Sequence, residues 1–326
     1  MLILTSLILH AALAPNYTVI HKYPIPGEGG WDYITVEPDS KRLYISRGSH
    51  VQVMATDTGK IVGDIPNTQG VHGIALAPKL GKGFTSNGRD NSISVFDMKT
   101  FKETSRVKVG TGPDGIIFDS YSGCVFTFNG RSSDATAVDA KTGKVLGTVP
   151  LGGKPEGGES DGKGNIFVNI EDKNSVVQFG AKSLKVVKSF SLASGEEPTG
   201  IGFDTKKGLI FSGCGNSMMT ILDVKSGKII GTAPTGGGTD FAGYDASTGT
   251  AFTSNGEGTL SVIQSVGGKF KNVQNVKTQP SARTMALDAK HHLVYLIAGD
   301  FAPAKPGERR GSMKPGSAAI LVVGMK

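Results

Sequence analysis

The chain has 326 residues, 47 of them glycine, about twice the ~7 % share of an ordinary protein. Hydrophobic residues at 38 % and charged residues at 19 % exclude a disordered chain, and the lack of a Gly-X-Y period excludes collagen. The net charge of +7 is spread along the chain rather than gathered, and there are few aromatic residues, so no nucleic-acid partner is expected.

Residues 1–14, MLILTSLILHAALA, are apolar and end in Ala12-Leu13-Ala14, the small-residue pattern of a secretory cleavage site. We expect a signal peptide and a periplasmic or secreted protein, although no Lys or Arg precedes the run and Pro15 follows it. The run is too short to span a bilayer as a stable helix, and no later stretch is apolar enough to do so. No membrane span is therefore expected.

A strand is predicted at 16–25 (NYTVIHKYPI). Seven further strands then begin after turn-forming residues: GWDYITV, GVHGIAL, GPDGIIF, KPEGGES, EPTGIGF, GTDFAGY and SARTMAL. Their equivalent positions are Asp32, His72, Asp114, Glu156, Thr199, Asp240 and Arg283, between 40 and 43 residues apart. Behind these starts lie variants of one phrase, such as GFTSNGRDNSISVFDMKTFK (83–102) and VFTFNGRSSDATAVDAKTGK (125–144). Each alternates, turns at Gly/Asn, alternates again and ends in a turn of the form Asp-x-Lys-Thr/Ser-Gly-Lys, with Phe101 in place of the glycine in the first, which reads as a hairpin leading into a further strand.

A period near 42 residues with four short strands is that of a propeller blade. The sequence thus predicts an all-β fold, a seven-bladed β-propeller of four-stranded antiparallel blades, as a single domain over 15–326. The last copy supplies three strands, SARTMAL, HLVYLIA and SAAILVV, so the strand at 16–25 is predicted to complete that blade and close the ring. A long loop at 299–316 interrupts the last blade and is expected on the same face as the strand starts, as a lid or as a plain surface loop.

The repeats, with GKPEGGESDGKGNIFVNIEDKNSVV, EEPTGIGFDTKKGLIF and DFAGYDASTGTAFTSNGEGTLSV, resemble the YVTN-type (YncE-like) seven-bladed propellers of bacteria over nearly all of 17–323. LYISRG and IFVNIED are the nearest forms of that family's strand signature. The resemblance implies the propeller fold and export, and little about activity.

In a propeller the start of each first strand and the end of the antiparallel second strand share one face, here called the top. The first ring holds Asp32, His72, Asp114, Glu156, Thr199, Asp240 and Arg283. The second holds Arg47, Asn87, Asn129, Ile170, Cys214, Asn255 and Ala298, with Asn169 beside it. Turn formation explains asparagines, but it does not require four carboxylates, a histidine and an arginine at one mouth. We therefore take Asp32, His72, Asp114, Glu156, Asp240 and Arg283, with Asn129, Asn255 and Cys214, as candidate ligand-binding residues. Arg283 is expected to pair with Asp240 and Asp32. That leaves His72, Asp114 and Glu156 as the candidate metal or acid/base set, of a chemistry that suits Ca²⁺, Mg²⁺ or Mn²⁺. No cofactor is required by any motif. Cys214 and Cys124 fall on opposite faces, too far apart for a disulfide.

Two functions remain open. One is a monomeric binding module for a small molecule, metal or partner protein at the top face. The other is a divalent-metal-dependent hydrolase or lyase, lactonase-like, in the same channel, for which Asn129, Asn169, Glu156 and Asp240 offer an analogy only.

Overall fold

The computed structural model describes residues 15–304 and 311–326. The expected leader, 1–14, and the Arg309-Arg310 part of the long loop lie outside the described residues. The rest forms seven four-stranded antiparallel sheets arranged as a propeller. Within each sheet the strands follow chain order from the channel outward, blade 4 being Pro155–Ser160, Asn165–Ile170, Ser175–Gly180 and Val186–Ser191.

The last blade is the exception, as the sequence predicted. Its inner strands are Thr284–Asp288, Leu293–Ala298 and Ala319–Met325, and its outer strand is Tyr17–Pro24 from the other end of the chain. The pairing runs from Tyr17 opposite Met325 to Pro24 opposite Ala319, with one bulge between Val19 and His21. Tyr17 is buried and meets Phe252 of blade 6 edge-on at 5.2 Å.

The apolar core is divided into clusters that straddle neighbouring blades. Phe126 and Phe128 of blade 3 meet Ile166, Val168 and Phe179 of blade 4, and Ile34 and Ile45 of blade 1 meet Tyr295 and Ile297 of blade 7. A blade buries its faces only against its neighbours, which is why the repeat is stable only as a ring. The repeated turn has an equally local cause. Asp97 accepts hydrogen bonds from the N–H of Lys99 (3.0 Å), the N–H of Thr100 (2.7 Å) and the Thr100 hydroxyl (2.9 Å). Asp139 and Thr142 repeat it.

Glycine follows the ring residue in blades 2 to 5, at Gly73, Gly115, Gly157 and Gly200. There the inner strands of adjacent blades nearly touch: a Cβ on Gly200 would lie 2.1 Å from the Ala242 backbone nitrogen. Gly200→Ala must therefore push blades 5 and 6 apart. We expect a loss of about 1–3 kcal/mol, read as a lower denaturant midpoint at unchanged m-value.

Candidate functional site

The seven ring residues converge at the top of the central channel, each at or just before the start of an inner strand. Their pairing differs in part from the expectation. Arg283 does pair with Asp240, Nη1 to Oδ1 at 3.0 Å. Asp32 instead pairs with His72, Oδ2 to Nδ1 at 2.5 Å, and Asp114 Oδ1 lies 3.6 Å from the same nitrogen. Glu156 does not share this group. It pairs with Lys154 at 2.6 Å, and Lys154 also binds Glu171. The expected set His72, Asp114 and Glu156 is thus corrected to two groups: Asp32, His72 and Asp114 in one, and Glu156, Lys154 and Glu171 in the other. Lys154 does not show among equivalent ring positions, because it stands two residues before one of them.

The second ring behaves as structure rather than as site. Asn129, Asn255 and Cys214 are fully buried. Asn129 donates to Asp134 (2.6 Å) and Thr136 (2.9 Å), and Asn255 donates to Thr259 and Ser261 (both 3.0 Å) and accepts from Thr239 (2.8 Å). They staple hairpins and do not reach the channel. Asn169 ties blade 4 to blade 5 through the carbonyls of Thr199 (3.1 Å) and Gly200 (2.9 Å). Burial pushes the Cys214 thiol up to about 11, far from a reactive thiolate. Both cysteines are free and buried. Arg47 is buried too and donates to the Gly27 carbonyl at 3.0 Å.

The site has two levels. The outer one is an open vestibule of about 720 Å³, bordered by Trp31, His72, Arg89, Arg131, Lys154 and Arg283. Arg89 and Arg131, both exposed, follow the hairpin asparagine-glycine pairs of blades 2 and 3. They put positive charge on the rim. The described part of the long loop lies beside this vestibule, with Phe301 edge-on to Trp31 at 5.8 Å.

Below the rim is a cavity of about 320 Å³ lined by Asp32, Asp114, Glu156, Glu171 and Asp240 with Lys154 and Arg283. Its inner wall carries two aromatic residues that are not among the candidates read from the ring positions. Tyr33 and Phe241 occupy the register where blades 2 to 5 have glycine, and they meet edge-on at 5.6 Å across the channel. The repeat itself was the available signal, since both break an otherwise small-residue position.

Crowding shifts the protonation of these groups. Burial, then the Asp32 charge, raise the Asp114 carboxyl against the pull of His72. Burial and the Asp114 charge raise Glu156 against Lys154. Asp240 is pushed by burial to about 6 in spite of Arg283. Burial pulls the His72 imidazole down, but the Asp32 hydrogen bond and the Asp114 charge outweigh it and bring it to about 8. The Tyr33 phenol is raised well above its usual range by burial and by the carboxylates of Asp114, Glu156, Asp32 and Asp240. Such a floor favours a proton, a metal ion or an organic cation over an anion.

No family model matches the chain, and no curated protein matches it. Solved structures do match. One is a hydrazine synthase structure from Kuenenia stuttgartiensis, with a TM-score of 0.71 at 16 % identity, covering 83 % of this chain and 94 % of that one. Another comes from a structure of a mitotic checkpoint complex, with a TM-score of 0.76 at 10 % identity, covering 96 % and 93 %. The likeness is one of fold. At such identities neither partner's role carries over to the present residues. No helix among the described residues is long and apolar enough to cross a membrane.

Proposed function

We propose that this chain is an exported, monomeric propeller of the YVTN type that binds a small ligand in the upper channel, with a cationic group of that ligand against the carboxylate floor. The observation that carries the reading is Asp114. Its Oδ1 is buried and makes no hydrogen bond among the described residues, lying 3.6 Å from His72. Leaving a buried carboxylate oxygen unsatisfied costs free energy that a bound cation would recover. An anionic group on the same ligand would meet Arg89 and Arg131 at the rim.

A second reading is a metal-dependent hydrolase or lyase. It is favoured by one observation: ligand atoms of Asp32, His72 and Asp114 all lie within 4.8 Å of one another. Calorimetric titration with Ca²⁺, Mg²⁺, Mn²⁺ and a panel of small amines and amino acids, together with metal analysis of the purified protein, separates the two. A stoichiometric metal lost in Asp114→Asn supports the second reading. Binding of an organic cation that weakens about tenfold or more in the same variant supports the first. Absence of both, in a protein that melts cooperatively, defeats the site.

A further inference from the structure

The lower part of the channel holds a second cavity, of about 290 Å³, whose chemistry differs from that of the mouth. Its walls are Phe203, Phe241, Tyr244, Met285 and Leu287, and the one carboxylate among its lining residues is Glu159. Glu159 and Phe241 also line the upper cavity, so they stand where the two spaces meet.

The repeat shows how unusual Glu159 is. It pairs across the sheet with Phe167. The corresponding pairs in the other six blades are Thr35 with Tyr44, Ala75 with Phe84, Ile117 with Phe126, Gly202 with Phe211, Gly243 with Phe252 and Ala286 with Tyr295. Every blade thus sets an aromatic ring opposite this position, and six of the seven fill it with a residue that carries no charge. Folding asks only for a small or apolar side chain there. A glutamate at that place costs stability, because its carboxyl has no basic side chain within ion-pair distance among the described residues. The backbone N–H of Ser160 donates to it, and burial raises its carboxyl to about 7.

We propose that Glu159 and the lower cavity bind an organic ammonium ion with a compact apolar body. The carboxylate accepts the ammonium N–H groups, the faces of Phe203, Phe241 and Tyr244 attract the positive charge, and Met285 and Leu287 enclose the hydrocarbon. Ring stacking holds two of these walls in place: Tyr244 lies on Phe211 at 4.5 Å, and Phe203 meets Phe167 at 5.0 Å. The volume of about 290 Å³ is roughly twice the ~150 Å³ of a cavity that holds benzene, so it admits a single ring with a short aminoalkyl arm. This site shares Glu159 and Phe241 with the upper cavity but draws on neither Asp114 nor the rim arginines proposed for the upper ligand.

The test uses 2-phenylethylamine, with 2-phenylethanol as its uncharged counterpart, in titration calorimetry of the whole protein at about pH 8.5, where the carboxylate is ionised and the amine protonated. The amine is expected to bind one to one, and the alcohol about tenfold or more weaker. Glu159→Gln should lose the preference for the amine and melt at or above the wild type, since it removes a buried charge. Glu159→Asp, which keeps the charge but withdraws it by one methylene, should retain part of the preference. Asp114→Asn, in the upper channel, should leave amine affinity within about twofold. The proposal is overturned if the wild type does not bind the amine, if the alcohol binds equally well, or if Glu159→Gln binds the amine unchanged. Loss of amine binding in Asp114→Asn alone would assign the ligand to the upper site and overturn it equally.

Discussion

Removal of residues 15–25 is expected to cost the protein its cooperative fold, or to lower its melting temperature by more than about 10 °C. The segment supplies the whole outer strand of blade 7, paired from Tyr17 to Pro24 with Met325 to Ala319. It also brings Tyr17 and Ile25 into the core at 2 % and 1 % exposure. Burial of each is worth about 1.5–3 kcal/mol before the ladder hydrogen bonds are considered. Ile25 lies in the cluster that joins blades 7 and 1, and Tyr17 in the one that joins blades 6 and 7. The loss therefore loosens two interfaces and leaves Ala319–Met325 as a bare apolar edge. Thermal melts of the truncated and intact proteins decide the matter, and an unchanged transition would refute the closing role of this strand.

The second large effect concerns pH. Between about pH 5 and pH 8.5 the melting temperature should fall, by roughly 5 °C or more. Buried carboxyls at Asp114, Glu156, Glu159 and Asp240 all have raised values, Asp240 at about 6 and Glu159 at about 7. At low pH they are protonated in the folded and the unfolded chain alike and exact no penalty. Above about pH 4 the unfolded chain ionises freely while the folded one holds its protons, so the folded state loses ground until these higher values are passed. His72 adds to the same trend. Its value is raised from 6.5 to about 8, so the stability it contributes is complete below about pH 6.5 and lost as the pH rises through 8. The turn aspartates Asp97, Asp139 and Asp223 have lowered values, and their contribution disappears only on the acid side, below about pH 4. Scanning calorimetry across this range should show the decline, and Glu159→Gln with Asp240→Asn should flatten it. A melting temperature that is level or rises from pH 5 to 8.5 would contradict the electrostatics described for the channel.

The architecture was open to inference because the repeat is chemical as well as numerical. The spacing of Asp32, His72, Asp114 and their equivalents gives the blades, and the shortage of one strand after Arg283 gives the closure. The ring of ionisable residues followed from the same register. The pairings within it did not, since they depend on side chains from other registers, such as Lys154 and Glu171, whose approach only the folded channel decides. Asn129, Asn255 and Cys214 were misleading for a related reason. The end of a second strand shares the top face with the ring, yet its side chain turns into the sheet, where the hydroxyls of Thr136 and Ser261 accept from the amide nitrogens of Asn129 and Asn255, and Thr220 neighbours the Cys214 thiol. Tyr33, Phe241 and Glu159 were legible in principle. Each is the odd member of a position that the other blades keep small or apolar.

The pairing of Tyr17 with Met325 also orders the events of folding in time. Blades 1 to 6 each consist of contiguous chain and can form one after another as their residues become available, each new sheet covering the exposed face of the last. The strand at Tyr17–Pro24 precedes its partner by the length of the whole ring, so its pairing waits on the six contiguous blades between them. Until Ala319–Met325 exists, the apolar flank of blade 1 and that of the growing end both face water. A chain whose closing strand is undocked therefore presents two unpaired apolar flanks at once, and docking of Tyr17–Pro24 on Ala319–Met325 covers both together.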